Sequence, residues 1–131
     1  MTFSHENVYT RLGISIIDGV GVIAIVDIPK GTVLFTGDKS EMVWFKEEEL
    51  ELDKLPEEIR KLYKDFCVII KKDDSKIYGC PDNFNNITMS WYLNHSNNPN
   101  VCCDKDYNFY AISEIMAGDE LTVDYHTYSD E

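Results

Sequence analysis

Asn94 and His95 stand together where the apolar lead-in Trp91-Tyr92-Leu93 stops, and Tyr125 closes the alternating run Glu120–Tyr125. An amide carries two N–H donors and an acceptor, and an imidazole can take either role. A phenol with a pKa near 10 donates well but is a poor base at neutral pH. Upstream, Gly19 and Gly21 flank Val20, and missing side chains let a backbone come close to a ligand. Taken one at a time, each residue has a plain structural role: Tyr125 as an inward-facing strand-end side chain, His95 as a hydrogen-bonded turn residue. What the polar run Asn94-His95-Ser96-Asn97-Asn98-Pro99-Asn100 is for depends on what surrounds it.

The elements that must position these residues differ along the chain. Gly13–Ile17, Gly21–Val26 and Thr32–Thr36 are rich in β-branched residues and bounded by turn formers, which predicts antiparallel strands. Leu55, Ile59, Leu62, Tyr63 and Phe66 recur at helical spacing, with Pro56 fitting the first helical position. One amphipathic helix over roughly 56–66 follows, with Glu57 and Lys61 as an i, i+4 pair. Cys67–Cys80 reads as a hairpin with Lys72-Asp73-Asp74-Ser75-Lys76 at its tip. Leu121, Val123 and Tyr125 alternate with polar residues, as in a half-buried strand. Ile25–Leu34 and Ile112–Leu121 share isoleucine, acid, isoleucine, glycine and leucine at matching offsets, so one strand–turn–strand device is used twice.

Three ordered stretches resemble the SET-domain protein lysine methyltransferases. Tyr92, Asn94, His95, Ser96, Pro99 and Asn100 match the family's R-F-x-N-H-S-x-x-P-N; Gly118, Glu120, Leu121, Thr122, Asp124 and Tyr125 match its G-E-E-L-T-F-D-Y. Gly19, Gly21, Val22, Ala24, Ile28 and Gly31 match its G-x-G-V-F-A followed by I-x-x-G. The resemblance implies a mainly β fold of small antiparallel sheets with one or two short helices and a knot-like C-terminal threading. It implies a single domain over 1–131: an N-terminal motif region at 19–40, a variable insert at 41–80, catalytic motifs at 81–125 and a short tail at 126–131.

The implied activity is transfer of a methyl group from S-adenosylmethionine to a protein lysine, leaving S-adenosylhomocysteine and needing no metal. Tyr125 is then the catalytic tyrosine. Gly19, Val20, Gly21, Asn94 and His95 hold the cofactor, and Tyr128 is the candidate to stack on its adenine. Tyr78, Tyr110 and Val123 are candidate walls of the lysine channel. In-line transfer asks the enzyme to align donor, methyl and nitrogen. The lysine must also be neutral, and an apolar channel lowers its pKa from about 10.4 by disfavouring the charge. The rate is therefore expected to climb between about pH 7 and 9.

Three positions depart from the family. Asn97 stands where many members carry a zinc-binding cysteine, and no C-x-C tail follows, so no post-SET zinc site is expected. Trp91 replaces the usual arginine. Val123 replaces an aromatic residue found in many members at the channel, which leaves room for multiple methylation.

With 24 acids against 12 Lys and Arg, the net charge is −12, a field that repels nucleic acid and suits a cationic partner. The expected partner is a basic, lysine-containing protein or peptide, with a homodimer as one way to close the site; neither nucleic acid nor membrane is expected. The 44% apolar and 12% aromatic content excludes an extended disordered chain, and no apolar run approaches the ~20 residues of a spanning helix. The start lacks the order of a secretory signal, so a soluble intracellular protein is expected. Cys67, Cys80, Cys102 and Cys103 show no C-x-x-C spacing and read as reduced. Two other functions fit the same residues: a non-catalytic SET-like peptide-binding module, and a methyltransferase for a small amine.

Overall fold

Strand β1 (Thr10–Ile14) pairs antiparallel with β2 (Val20–Ala24), Thr10 opposite Ala24 and Ile14 opposite Val20. The computed structural model describes residues 3–130; Met1, Thr2 and Glu131, the last residue of the expected tail, lie outside them. Within the described residues β1 ends before Ile17, where the expected strand stopped. The chain turns at Ser15, whose Oγ accepts the backbone N–H of Ile17 at 2.9 Å and of Asp18 at 3.2 Å. Ile14 and Ile16 consequently project from the hairpin tip, 92% and 98% exposed.

The chain divides into two compact units, Met1–Asp38 with Thr88–Asp124, and Lys39–Ile87 with Tyr125–Glu131. In the first, β6 (Asn94–His95), β7 (Val101–Cys103), β8 (Phe109–Ala111) and β9 (Glu120–Val123) complete a sheet ordered β1-β2-β9-β7-β8, with β6 also on β9. Strand β9 runs antiparallel to β2 on one side and parallel to β6 and β7 on the other. Val22, Val101, Leu121 and Val123 are almost wholly buried there, and Thr122 is buried beside them, so β9 is covered on both faces rather than half-buried as its alternation predicted.

The two echoed segments meet in this unit. Ile28 and Ile115 exchange backbone hydrogen bonds of 2.7 and 2.9 Å. Gly31 N–H donates to Ala111 O at 2.8 Å, and Gly118 N–H donates to Ala24 O at 2.7 Å, the equivalent bond with the halves exchanged. Both glycines have left-handed backbone, φ 90° and 95°, which side-chain-bearing residues adopt at a cost. The repeat is thus a local two-fold device in which each copy completes the other. Thr32–Thr36 departs from expectation and makes only the isolated bridge of Val33 to Tyr110. Phe35 turns left-handed at φ 59°, which ends any extended run.

The second unit is a sheet ordered β3-β5-β4, from β3 (Met42–Lys46), β4 (Val68–Lys72) and β5 (Ser75–Pro81), with α1 (Glu47–Leu50) and α2 (Glu57–Phe66). The predicted hairpin and helix are both present. Pro56 caps α2 rather than opening it, and Lys61 pairs with Glu58 at 3.1 Å instead of Glu57. Cys67, Ile69, Tyr78 and Cys80 form the unit's core, with Tyr63 and Phe84 packed against it. The Cys67 and Cys80 sulfurs lie 3.0 Å apart as free thiols; their hydrogen bond, then burial, pushes the Cys67 thiol up. Among the described residues no helix is long and apolar enough to cross a membrane.

Candidate active site

Position in the sheet answers what the polar run from Asn94 to Asn100 does. Asn94 and His95 pair with Thr122 and Val123, and Ser96 N–H donates to Val123 O at 3.0 Å. Asn100 then acts as a substitute strand residue: its Oδ1 accepts from Thr122 N–H at 2.8 Å, and its Nδ2 donates to Glu120 O at 3.0 Å. Buried backbone groups need partners, and polar side chains supply them where no regular strand fits. Asn94, His95, Ser96 and Asn100 are thus half-buried against β9, while Asn97 and Asn98 are exposed.

Asn94 joins this wall to the β1–β2 tip. Its Nδ2 donates toward Ser15 Oγ at 3.0 Å, Asp18 O at 3.2 Å, Val20 O at 3.3 Å and Glu120 Oε2 at 2.9 Å. Gly19, Val20, Gly21 and Asn94 are therefore together. His95 is half-buried beside them in sequence, with Nε2 3.0 Å from Asn97 Oδ1 and Nδ1 3.7 Å from Asp124 Oδ1. The 3.0 Å contact with Asn97 Oδ1 orients the ring. A turn so rich in carbonyl and carboxylate oxygens favours a ligand that brings N–H donors or positive charge.

Val123 is wholly buried in the first unit, and Tyr110 stands at its surface, 36% exposed, on β8. A hydrogen bond with Cys102 raises the Tyr110 hydroxyl above its ordinary pKa. Tyr78 belongs to the core of the second unit, its hydroxyl donating to Glu47 Oε2 at 2.9 Å. Tyr125 opens a short 3-10 turn, Tyr125–Thr127, two residues after Val123 ends β9. Its ring meets Tyr128 edge-on with centroids 6.3 Å apart. The tail behind it is tied to β4: Asp130 N–H donates to Ile69 O at 2.7 Å, and Ser129 Oγ accepts from Ile69 N–H at 3.1 Å. Sequence reasoning missed Ser15 and the side-chain role of Glu120. The only sequence signal for Ser15 was a small hydroxyl three residues before an Asp-Gly turn, where such hydroxyls often bond the backbone.

The sequence profile of the SET domain matches residues 19–126. The chain belongs to the SET domain family. Its fold is shared by solved SET-type structures. A candidate histone methyltransferase of Plasmodium falciparum is 20% identical with a TM-score of 0.53, the alignment covering 90% of this chain and 93% of that one. A humanized mutant of the Chaetomium thermophilum Polycomb Repressive Complex 2, bound to the inhibitor GSK126, is 20% identical with a TM-score of 0.61; the alignment covers 95% of this chain and 16% of that one. None of the curated proteins matches the chain. SET family membership accounts for the motif order and for the enclosure of β9.

Proposed function

We propose that this SET protein transfers a methyl group from S-adenosylmethionine to the side-chain amine of lysine in a basic protein segment, working as one SET-type domain. The observation that carries the reading is the meeting of the two cofactor motifs, Asn94 bound to the carbonyls of Asp18 and Val20 within 3.3 Å inside a SET fold. The acceptor-rich turn fits the cationic, amine-bearing cofactor that the family implies. Gly19, Val20, Gly21, Asn94 and His95 would hold it. When bound, it supplies an electrophilic methyl group.

The chain's own residues do the rest. Tyr125 orients the lysine amine, and the apolar channel that the family resemblance implies keeps water away and favours the neutral amine. Glu48, Glu49, Glu51 and Asp53 are exposed and rim the second unit with negative charge, which selects a basic peptide and fits the net charge of −12.

Titration with S-adenosylhomocysteine, followed by methyl incorporation into a lysine-rich peptide, tests the reading. Native protein and Tyr125→Phe should both bind; Asn94→Ala should not. Tyr125→Phe should lose transfer by ~100-fold or more, the scale of a lost orienting group. Binding without transfer to any lysine peptide would favour the non-catalytic module. Transfer confined to free amines would favour a small-amine substrate. A concentration-dependent affinity would favour the homodimer.

A further inference from the structure

Asn94 can present either face of its amide, and the choice matters to whatever binds beside the Gly19–Gly21 turn. The two N–H bonds of Nδ2 point at Ser15 Oγ, Asp18 O, Val20 O and Glu120 Oε2. Two carbonyls and a carboxylate can only accept, so the nitrogen must lie inward and the oxygen outward. Oδ1 has no hydrogen-bond partner among the described residues.

Ser15 makes this orientation one-sided. Its Oγ already accepts from Ile17 N–H and Asp18 N–H, so its own hydrogen is committed to Glu120, at 2.7 and 2.9 Å from the two carboxylate oxygens. Asn94 Nδ2, 3.0 Å away, is a third N–H donor around the same oxygen, so its two hydrogens are held chiefly by Glu120 Oε2 and the two carbonyls, and a reversed amide would set its oxygen against acceptors. Gly21 makes space for the carboxylate: a Cβ there would sit 2.5 Å from Glu120 Oε2 and 2.9 Å from its Cδ. The glycine therefore admits the Glu120 side chain, whatever it also does for a ligand.

We propose that Ser15 and Glu120 are positioning residues that lock the Asn94 amide nitrogen-inward, so that Oδ1 stands ready to accept a hydrogen bond from a donor group of the bound cofactor. The functional half of this rests on the methyltransferase reading; the lock itself does not. Glutamine at position 120 cannot reproduce it. With its oxygen toward Asn94, its amide nitrogen faces a Ser15 hydroxyl already surrounded by three N–H donors; turned the other way, it meets the Asn94 nitrogen, donor against donor.

The test uses Glu120→Gln and Ser15→Ala in the full chain, with two readouts. The first is the side-chain amide signal of Asn94 in ¹⁵N–¹H spectra, assigned by its absence in Asn94→Ala. In the native protein the two protons should be well dispersed and slow to exchange with water. In both variants they should move toward free-amide positions and exchange faster while the backbone amides stay dispersed. The second is the dissociation constant for S-adenosylhomocysteine, expected to rise about tenfold, the loss of one charge-assisted hydrogen bond. Gly21→Ala, which displaces the carboxylate without removing it, should reproduce both effects and covers the case that Glu120→Gln does not fold.

An unchanged Asn94 signal in folded Glu120→Gln overturns the lock. A shifted signal with unchanged affinity overturns its functional half. If the native chain binds no S-adenosylhomocysteine, the methyltransferase reading falls with that functional half, and the amide signal alone still decides the lock.

Discussion

Asn100 shows how a single side chain can stand in for a strand. By bonding Thr122 N–H and Glu120 O it supplies both partners that a paired backbone would. Asn100→Ala should therefore cost about 3 kcal/mol, since both β9 groups lose their mates, and urea denaturation should show it as a lower midpoint. Cysteine chemistry is equally local. Burial, then the neighbouring Cys102 and Asp104, pushes the Cys103 thiol up to about 11. The reactive form is the thiolate, so iodoacetamide should label Cys103 slowly at pH 8 and increasingly toward pH 11, with peptide mass mapping as the readout. Neither property was visible in the sequence. The role of Asn100 depends on a strand twenty residues away, and the Cys103 environment depends on which of two adjacent cysteines faces inward.

The turn between β7 and β8 is held by Asp104, whose Oδ1 accepts from Asp106 N–H at 2.8 Å and Asn108 N–H at 3.0 Å. Those bonds to Asn108, with help from Asp106 and Lys105, hold its carboxyl below the usual range. The folded value is depressed, so the contribution is complete above the unfolded pKa of about 3.9 and lost as pH falls through the folded value. Amide protection at Asp106 and Asn108 should thus persist below the ordinary carboxyl pKa and fade only as pH falls through the depressed folded value, and Asp104→Ala should abolish it at neutral pH. At the other end of the chain, Ser129→Ala would free Ile69 N–H and loosen the segment that follows Tyr125. Under the proposed function this lowers turnover more than cofactor affinity, which steady-state kinetics would separate. The regular elements were the legible ones: β4, β5 and α2 follow hydropathy period, a two-residue turn and a proline. The end of β1 and the broken run at Thr32–Thr36 were not, because Ser15 and the left-handed Phe35 bend the chain without changing its hydropathy.

Across the whole molecule the acid excess sets the kind of partner that approaches. Under the proposed function, with a net charge of −12, peptide KM should rise with salt while the affinity for S-adenosylhomocysteine changes little, a comparison at 50 and roughly 300 mM salt. Motif order was legible at this scale because the three motifs bracket most of the chain, and the echo of Ile25–Leu34 in Ile112–Leu121 proved to be a physical pairing. That pairing has a kinetic consequence. Asp27 Oδ1 accepts from Ala117 N–H across 90 residues of sequence, so the twin latch closes a loop that contains the whole of Lys39–Ile87. Loop entropy grows only with the logarithm of length, so doubling that intervening segment, which lengthens the loop by about half, would cost the native state about 0.4 kcal/mol. Folding rate, by contrast, falls as contacts become more distant along the chain. The latch thus leaves the intervening segment free to change length with little loss of equilibrium stability, and the price appears as slower closure of Ile28 on Ile115.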